Sequence, residues 1–423
     1  MKNVKLRLII MNFLQYGAWG SYLISMGAYL ASIGMGTKIG LFYAVQGFVS
    51  LFMPAIIGII ADKWIQSQRL LGYCHFLASL FFFWTAYYAM TAETVEFVKL
   101  FIPYTLSVAF YMPTIALSNS VAYSVLESAG LDTIKTFPPI RIFGTIGFII
   151  TMWICDLCNF QQSPMQFVQS GVVGLLLVAV CFFLLPECPV DKTESENKSL
   201  AEALGLTAFR LLKEKKMAIF FLFSMLLGVS LQITNGFANP YITQFGSIEQ
   251  YAGTFGVNHA NILISLSQIS ETFCILLIPF CLKRFGIKKV MLISMFAWVL
   301  RFAFFGIGNP GGGVWLFVLS MIVYGVAFDF FNVSGSLYVN ETTSEKVRSS
   351  AQGLFMLMTN GIGATCGTLI AQGVINRCVP QGGASGIEII AGWQSAWLIF
   401  AAYALCVAIL FAIFFKYKHT PEK

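Results

Sequence analysis

The sequence predicts an all-α integral membrane protein with twelve transmembrane helices in two six-helix halves. Of its 423 residues, 57% are hydrophobic and only 11% are charged, whereas soluble domains carry about 25% charged residues. Apolar segments of about 20 residues, the length that crosses a bilayer, recur along the whole chain. A single long polar stretch, residues 186–216, separates the first half from the second.

Each predicted helix is an apolar segment of about 20 residues or more, long enough to span a bilayer. The polar stretch between the halves is rich in Lys, Glu and Ser and is typical of a linker. The predicted domains are an N-terminal half 1–185, a cytoplasmic linker 186–216 and a C-terminal half 217–423. The predicted spans are 8–31, 40–61, 70–91, 98–125, 140–158, 166–185, 217–245, 257–282, 288–308, 313–338, 348–376 and 389–415.

The distribution of basic residues predicts the orientation. Cytoplasmic loops of membrane proteins are enriched in Lys and Arg. If both termini are cytoplasmic, all 26 Lys and Arg lie on the cytoplasmic side except Lys38, Lys99 and Arg377 on the opposite side and Arg141 and Arg301 at or inside the membrane. This topology accounts for the net charge of +7, so we do not expect nucleic acid as a partner.

Enzyme chemistry is disfavoured by the sequence. The 10 Cys are scattered through apolar segments as small buried side chains are. Cys155 and Cys158 form a CxxC pair, but no His or second Cys pair lies nearby, so we interpret the spacing as coincidental. We find no phosphate-binding loop and no nucleophile triad. We therefore predict no catalytic residue, no metal site and no cofactor.

One stretch places an ionisable side chain where its neighbours predict hydrocarbon. Asp329 lies between Tyr324 and Asn332, inside an apolar run. Intramembrane acids usually face a cavity, a partner or a transport pathway. Tyr324, Phe328 and Asn332 follow at steps of four and so share a helical face. We interpret this face as the wall of a solute site; the alternative is that Asp329 only holds helices together.

Three further spans carry polar or aromatic side chains at helical spacing. Membrane helices also use Gln, Asn and Thr as packing contacts, and for any single amide this alternative stays open. Four such helices with one arginine and two acids among them are better explained by a pocket. The four sets are Arg141, Thr145 and Phe148; Gln232 and Asn235; Gln268 and Glu271; and Tyr324, Phe328 and Asp329.

These side chains suit a neutral solute with hydroxyl groups and ring nitrogens. The aromatic side chains offer faces on which a planar ring could stack. A ribose joined to a nucleobase satisfies both demands, and a sugar also fits. A phosphorylated solute fits less well because Arg141 is the one cation in the set. Asn12, Gln15, Tyr16 and Trp19 form a polar face on the first span, which could complete the cavity or line the outer vestibule.

Short charged loops occur at matching positions in the two halves. Gly58-Ile-Ile-Ala-Asp62-Lys63 follows the second span, and Lys283-Arg284-Phe-Gly286-Ile-Lys288-Lys289 follows the eighth. Together with twelve spans and a central cytoplasmic linker, this resembles the major facilitator superfamily, whose signature loop is split here between the two sites. The resemblance implies a solute site near the midplane and transport by alternating access.

Longer strings resemble the bacterial nucleoside:H⁺ symporter family over essentially the whole chain. They are Phe137-Pro-Pro-Ile-Arg141-Ile-Phe-Gly-Thr145-Ile-Gly-Phe148, Leu231-Gln-Ile-Thr-Asn235, Ser267-Gln-Ile-Ser-Glu271-Thr, Ser320-Met-Ile-Val-Tyr324, Phe328-Asp329-Phe-Phe-Asn332 and Ser350-Ala-Gln-Gly-Leu-Phe-Met. The resemblance implies a nucleoside site formed by Arg141, Thr145, Phe148, Gln232, Asn235, Gln268, Glu271, Tyr324, Phe328 and Asp329.

The resemblance further implies proton-coupled uptake of nucleosides such as uridine, cytidine and adenosine across the bacterial inner membrane. We expect a multi-pass monomer in the lipid bilayer with both termini cytoplasmic, and the proton as coupling ion. Asp329 is our candidate proton carrier, responding to the approach of Arg141, and Glu271 is its rival. A proton-coupled permease for a sugar or a nucleobase remains the alternative, as does a receptor that binds without transporting.

Overall fold

The computed structural model describes residues 3–188, 206–380 and 382–417. These residues form helices joined by short turns. The predicted linker 186–216 is described only at its two ends, since 189–205 lie outside the described residues. The chain divides into two compact units: Met1–Gly36 with Phe48–Leu204, and Thr37–Gly47 with Gly205–Lys423.

Eight helices precede the linker. Most of the third belongs to the C-terminal unit, because that unit includes Thr37–Gly47. The helices are α1 (Val4–Gly20), α2 (Met26–Ser32), α3 (Ile39–Ser50), α4 (Met53–Lys63), α5 (Ser67–Thr91), α6 (Phe97–Ser128), α7 (Thr133–Leu157) and α8 (Met165–Phe183).

The first two predicted spans are each divided into two helices. Between α1 and α2, the Ser21 hydroxyl donates to the Gly17 carbonyl at 2.8 Å; such side-chain bonds to the preceding turn bend helices. In the first turn of α4, Pro54 lacks the N–H that would continue α3 as one helix. In the described part of the chain, ten other helical segments are long and apolar enough to cross a membrane.

Glycine brings α1 and α7 into close contact. A Cβ at Gly147 would overlap the carbonyl oxygen of Phe13, so only a residue without a side chain allows this approach. The core of the N-terminal unit continues through apolar residues of α5, α6 and α8, such as Leu71, Val121 and Leu177. This packing fixes the face of α7 that carries the predicted site residues.

The C-terminal unit contains the remaining helices. A 3₁₀ turn, Leu206–Lys213, leads into them, and a second 3₁₀ turn, Phe245–Ser247, follows α10. They are α9 (Lys215–Leu231), α10 (Ile233–Gln244), α11 (Glu249–Ala252), α12 (Phe255–Asn258), α13 (Ala260–Phe285), α14 (Ile287–Ile307), α15 (Val314–Thr342), α16 (Glu345–Met356), a π-helical turn (Leu357–Gly363), α17 (Ala364–Cys378) and α18 (Gly386–Phe414).

Aromatic rings and one close helix contact hold this unit together. Phe305 of α14 stacks on Trp397 of α18, with ring centroids 4.6 Å apart. A Cβ at Gly325 of α15 would lie 2.7 Å from the carbonyl oxygen of Ser270 on α13, so the two helices approach each other there. This contact lies next to two of the predicted site segments, around Glu271 and Tyr324.

Candidate functional site

The N-terminal unit carries three predicted site residues on one face of α7. Arg141 and Thr145 are half-buried, and Phe148 is 8% exposed. The spacing of four and three residues that predicted a shared face therefore falls on one continuous helix. The face turns toward α1, where Tyr16 and Trp19 contact two of the three side chains.

Arg141 stacks on an aromatic ring of the first helix. Its guanidinium carbon lies 3.7 Å from the centroid of the Tyr16 ring. A methyl group at Gly144 would lie 2.6 Å from Tyr16 Cδ2 and 2.8 Å from Arg141 Nη1. The absence of a side chain at Gly144 thus makes room for the stacked pair, which orients the guanidinium through its flat face.

Phe148 also contacts α1. Its ring meets Trp19 edge to face, at 88° and 6.2 Å between centroids, a geometry that aromatic pairs prefer. Trp19 in turn contacts the Tyr111 ring at 6.2 Å. The Trp19 ring of α1, backed by the Tyr111 ring of α6, therefore orients Phe148. Tyr16 and Trp19 thus support two of the predicted site residues of this unit.

In the C-terminal unit, Gln232 and Asn235 form a hydrogen-bonded pair. Gln232 is the single residue between α9 and α10, and Asn235 Nδ2 donates to Gln232 Oε1 at 2.9 Å. Each amide group keeps further donors or acceptors beyond this bond. The structure thus brings the two predicted residues together as one polar unit at a helix junction.

Gln268 and Glu271 lie on α13, where that helix contacts α15. The Ser267 hydroxyl lies 3.1 Å from Met321 Sδ, and the Ser270 hydroxyl donates to the Ile322 carbonyl. Gln268 is 9% exposed, and among the described residues its Oε1 atom has no hydrogen-bond partner. A buried acceptor of this kind is costly unless something else donates to it.

Tyr324, Phe328 and Asp329 lie on α15. The Tyr324 and Phe328 rings stack at 5.6 Å between centroids with 17° between their planes. Asp329 is 6% exposed, and no group in the described parts of the chain donates to its Oδ2 atom. Glu271 and Asp329 interact electrostatically, which brings the two predicted acids into one neighbourhood.

The structure gives Arg301 of α14 a contact that the sequence did not indicate. Its guanidinium carbon lies 4.4 Å from the Tyr324 ring centroid. Arg301 Nη1 donates to the Ser320 carbonyl at 2.7 Å and to the Ser267 hydroxyl at 3.3 Å. The arginine was visible as a charge in the ninth span, but its partner was not, because that depends on how α14 is rotated against α15.

The C-terminal set offers three kinds of contact to a solute. The stacked rings can hold a planar group, the amides can both donate and accept, and the acids can accept or exchange a proton. Among the described residues no cluster of three or more His, Cys, Asp or Glu could hold a metal ion.

Comparisons with known proteins agree with this chemistry. The xanthosine permease of Escherichia coli (strain K12) is 45% identical over 100% of this chain and 98% of its own length. The nucleoside permease NupG of the same organism is 45% identical over 99% of this chain and 97% of its own. A sugar or nucleobase permease, our alternative, has no support from these relatives.

A crystal structure of the nucleoside transporter NupG matches with a TM-score of 0.89 and 44% identity, covering 98% of this chain and 100% of that chain. This confirms the predicted fold class, an all-α integral membrane protein of the major facilitator superfamily. The relatives are transporters, in agreement with the prediction that the chain is not an enzyme. Since the family model described as nucleoside H⁺ symporter also matches residues 1–420, the chain belongs to the nucleoside H⁺ symporter family.

Proposed function

We propose that the protein takes up nucleosides together with protons by alternating access, and that it does so across the bacterial inner membrane with both termini cytoplasmic. Uridine, cytidine and adenosine are the expected substrates. The proton is the coupling ion, and no cofactor takes part. We further propose that the protein works as a monomer in the lipid bilayer.

One observation supports nucleosides as the substrate class. Gln268 Oε1 and Asp329 Oδ2 are buried acceptors without a donor among the described residues, and they lie on the two helices that meet beside the stacked Tyr324 and Phe328 rings. A nucleoside supplies hydroxyl and N–H donors together with a planar ring. A free base lacks the ribose hydroxyls, and a sugar lacks the planar ring.

The ten predicted residues are the proposed substrate-binding residues. Arg141, Thr145 and Phe148 belong to the N-terminal unit, and the other seven belong to the C-terminal unit. Arg141 is the one cation among them, which favours a neutral nucleoside over a nucleotide. The two acids are the candidates for coupling to protons.

Uptake by the purified full-length chain in proteoliposomes tests the proposal. Labelled uridine, cytidine and adenosine should accumulate when an inward proton gradient is imposed, and a protonophore should abolish the accumulation. Unlabelled nucleosides should compete, whereas free bases and sugars should not. The proposal would be contradicted if accumulation did not depend on the proton gradient. It would also be contradicted if glucose or uracil competed at the same concentrations as unlabelled nucleosides.

Reporter fusions test the orientation separately. A fusion at Lys418 should report a cytoplasmic location, and a fusion near Gly311, before α15, an external one. A cytoplasmic signal at Gly311 would overturn the proposed orientation without affecting the substrate proposal.

A further inference from the structure

A cavity of about 250 Å³ lies within the C-terminal unit. It lies on the side of the stacked Tyr324 and Phe328 rings that faces the C-terminal end of α15. Phe328, Asn332 and Ser336 of α15 form one wall. Gln352, Phe355 and Met356 of α16 and Asn360 of the π-helical turn form the other. Phe328 is one of the ten predicted binding residues, and Asn332 continues the same face of α15, so the cavity adjoins the predicted site and extends from it.

Its two walls are held together by defined contacts. Gln352 Nε2 donates to the Ser336 carbonyl at 2.7 Å and to Asn340 Oδ1 at 2.9 Å. A Cβ at Gly335 would lie 2.6 Å from Cζ of the buried Phe355 ring, so α16 packs directly on α15. The cavity is therefore bordered by fixed helices rather than by loops.

Two amides in these walls retain free acceptors. Asn332 Nδ2 donates to the Phe328 carbonyl at 3.0 Å, and Asn360 Nδ2 contacts Met356 Sδ at 3.6 Å. Within the described ranges, neither side-chain oxygen accepts a hydrogen bond. The π-helical turn places Asn360 at this wall, and such turns occur frequently at functional sites. The cavity thus offers acceptors to a ligand.

The wall on α15 continues the face of the predicted site. Tyr324, Phe328, Asn332 and Ser336 follow at steps of four, so they lie one above another along the helix. The distance from Tyr324 to Ser336 along the axis is about 18 Å, at about 1.5 Å per residue. In the proposed orientation α15 ends on the cytoplasmic side, so the cavity lies between the predicted site and the cytoplasm.

We propose that this cavity is a release-side subsite, in which the nucleoside pauses on its way from the predicted site to the cytoplasm. The inference rests on the proposed function. Three amides, one hydroxyl, two aromatic rings and the Met356 thioether line the cavity. A few polar groups among apolar side chains suit a neutral solute that carries both a ring and hydroxyl groups, and none of the lining residues carries a charge that would select a phosphate. The volume is below the roughly 300–1,000 Å³ of drug-sized ligand pockets, which suits brief contact with part of a nucleoside.

Transport measured from each face tests the proposal. Asn360→Ala should raise the KM for uridine at the cytoplasmic face, measured in inside-out vesicles, by about two- to tenfold, the effect of one lost neutral hydrogen bond. The KM at the outer face, measured in right-side-out vesicles, should stay at the parent value. Gln244→Ala is the amide control, because Gln244 lies at the end of α10 and does not line the cavity. Equal effects at both faces, or none, would overturn the subsite.

A variant that fills the cavity provides an independent test of the proposal. Ser336→Trp places an indole in the cavity and should abolish net uptake, while uridine added to the purified protein still raises its melting temperature. Uptake at the parent rate by Ser336→Trp would show that the nucleoside does not pass through the cavity, and this too would overturn the proposal. A parent chain that fails to transport uridine at all would instead contradict the proposed function.

Discussion

The Arg301 guanidinium lies under the Tyr324 ring, with 4.4 Å between its carbon and the ring centroid, and Nη1 donates to the Ser320 carbonyl at 2.7 Å. Arg301 is 2% exposed and forms no ion pair within the described residues. A buried charge is costly when it is not compensated. The ring face and the backbone carbonyl supply the compensation here, so Arg301 and Tyr324 stabilise each other's positions.

Arg301→Met should therefore weaken uridine binding by about two- to thirtyfold, the range that a cation–π contact contributes. Methionine fills much of the same volume and removes a buried charge, so we expect the melting temperature to change little. Arg301→Lys should not rescue binding, because an ammonium group lacks the planar face that stacks on the ring. The measurement is the uridine Kd of the purified variants.

A double-mutant cycle tests whether Arg301 acts through Tyr324. Tyr324→Leu removes the ring, and the combined variant should then lose little more than Tyr324→Leu alone. Tyr324→Phe is the control that keeps the ring. Additive losses in the double variant would show that Arg301 supports binding by another route.

The stacked pair in the N-terminal unit leads to a second prediction. Tyr16→Leu removes the ring beneath Arg141, and Gly144→Ala introduces a methyl group 2.6 Å from Tyr16 Cδ2. Both should lower uridine uptake at subsaturating concentration by about two- to thirtyfold, as expected for a disrupted cation–π contact. Tyr16→Phe should transport as the parent does.

Gly373→Ala is the matched glycine control for Gly144→Ala. A Cβ at Gly373 meets no heavy atom within 4 Å, and alanine favours the helix by about 1 kcal/mol over glycine. Uptake should therefore be unchanged by this substitution. If Gly144→Ala also leaves uptake unchanged, the orientation of Arg141 by Tyr16 does not matter for transport.

The amides of the C-terminal unit give a third prediction, in which a substitution weakens uridine binding without lowering thermal stability. Gln268→Leu removes a buried acceptor that no described residue satisfies, so the melting temperature without ligand should stay the same or rise. Uridine binding should weaken by at least about two- to tenfold, because the hydrogen bond to the solute is lost. Calorimetry on the purified variant measures both quantities.

Gln232→Ala and Asn235→Ala extend this test. Each breaks the 2.9 Å bond between the two amides, so each should weaken binding and the double variant should not add fully. If Gln268→Leu and both alanine variants bind uridine as the parent does, the proposed pocket is misplaced.

The spans could be predicted from the sequence because hydropathy and helix length are local properties. The apolar run through Pro54 hid the division into α3 and α4. The turn between α1 and α2 was hidden for the same reason. The π-helical turn at Leu357–Gly363 could not be predicted, because its residues fit an ordinary helix equally well.

The faces of the site helices could also be predicted, but their neighbours could not. Helical spacing grouped Tyr16 and Trp19 on one face and left their role open. Which residues they contact depends on the rotation of α1 against α7, which the glycine contact at Gly147 fixes in three dimensions. The contact between Arg301 and Tyr324 could not be predicted for the same reason. The spacing of residues within one helix does not show how that helix is rotated against its neighbour.

The last prediction concerns coupling to protons. In a symporter, solute binding and protonation must each depend on the other. Asp329 is the buried acid whose Oδ2 atom has no donor in the described ranges, and Glu271 interacts with it. Intramembrane acids of this kind serve proton pathways. Asp329→Asn keeps the shape of the side chain and removes its titration, so it should abolish the accumulation of uridine that a proton gradient drives.

Proteoliposomes with and without an imposed gradient measure this effect. Exchange of labelled for unlabelled uridine across Asp329→Asn vesicles needs no net proton movement, so it should persist and show that the variant is folded. Asp156→Asn is the matched control, since Asp156 lies near the end of α7 and accepts from Gln161 Nε2 at 2.9 Å; its accumulation should equal that of the parent. If Asp329→Asn still concentrates uridine against its gradient, another group carries the proton, and Glu271→Gln becomes the variant to test.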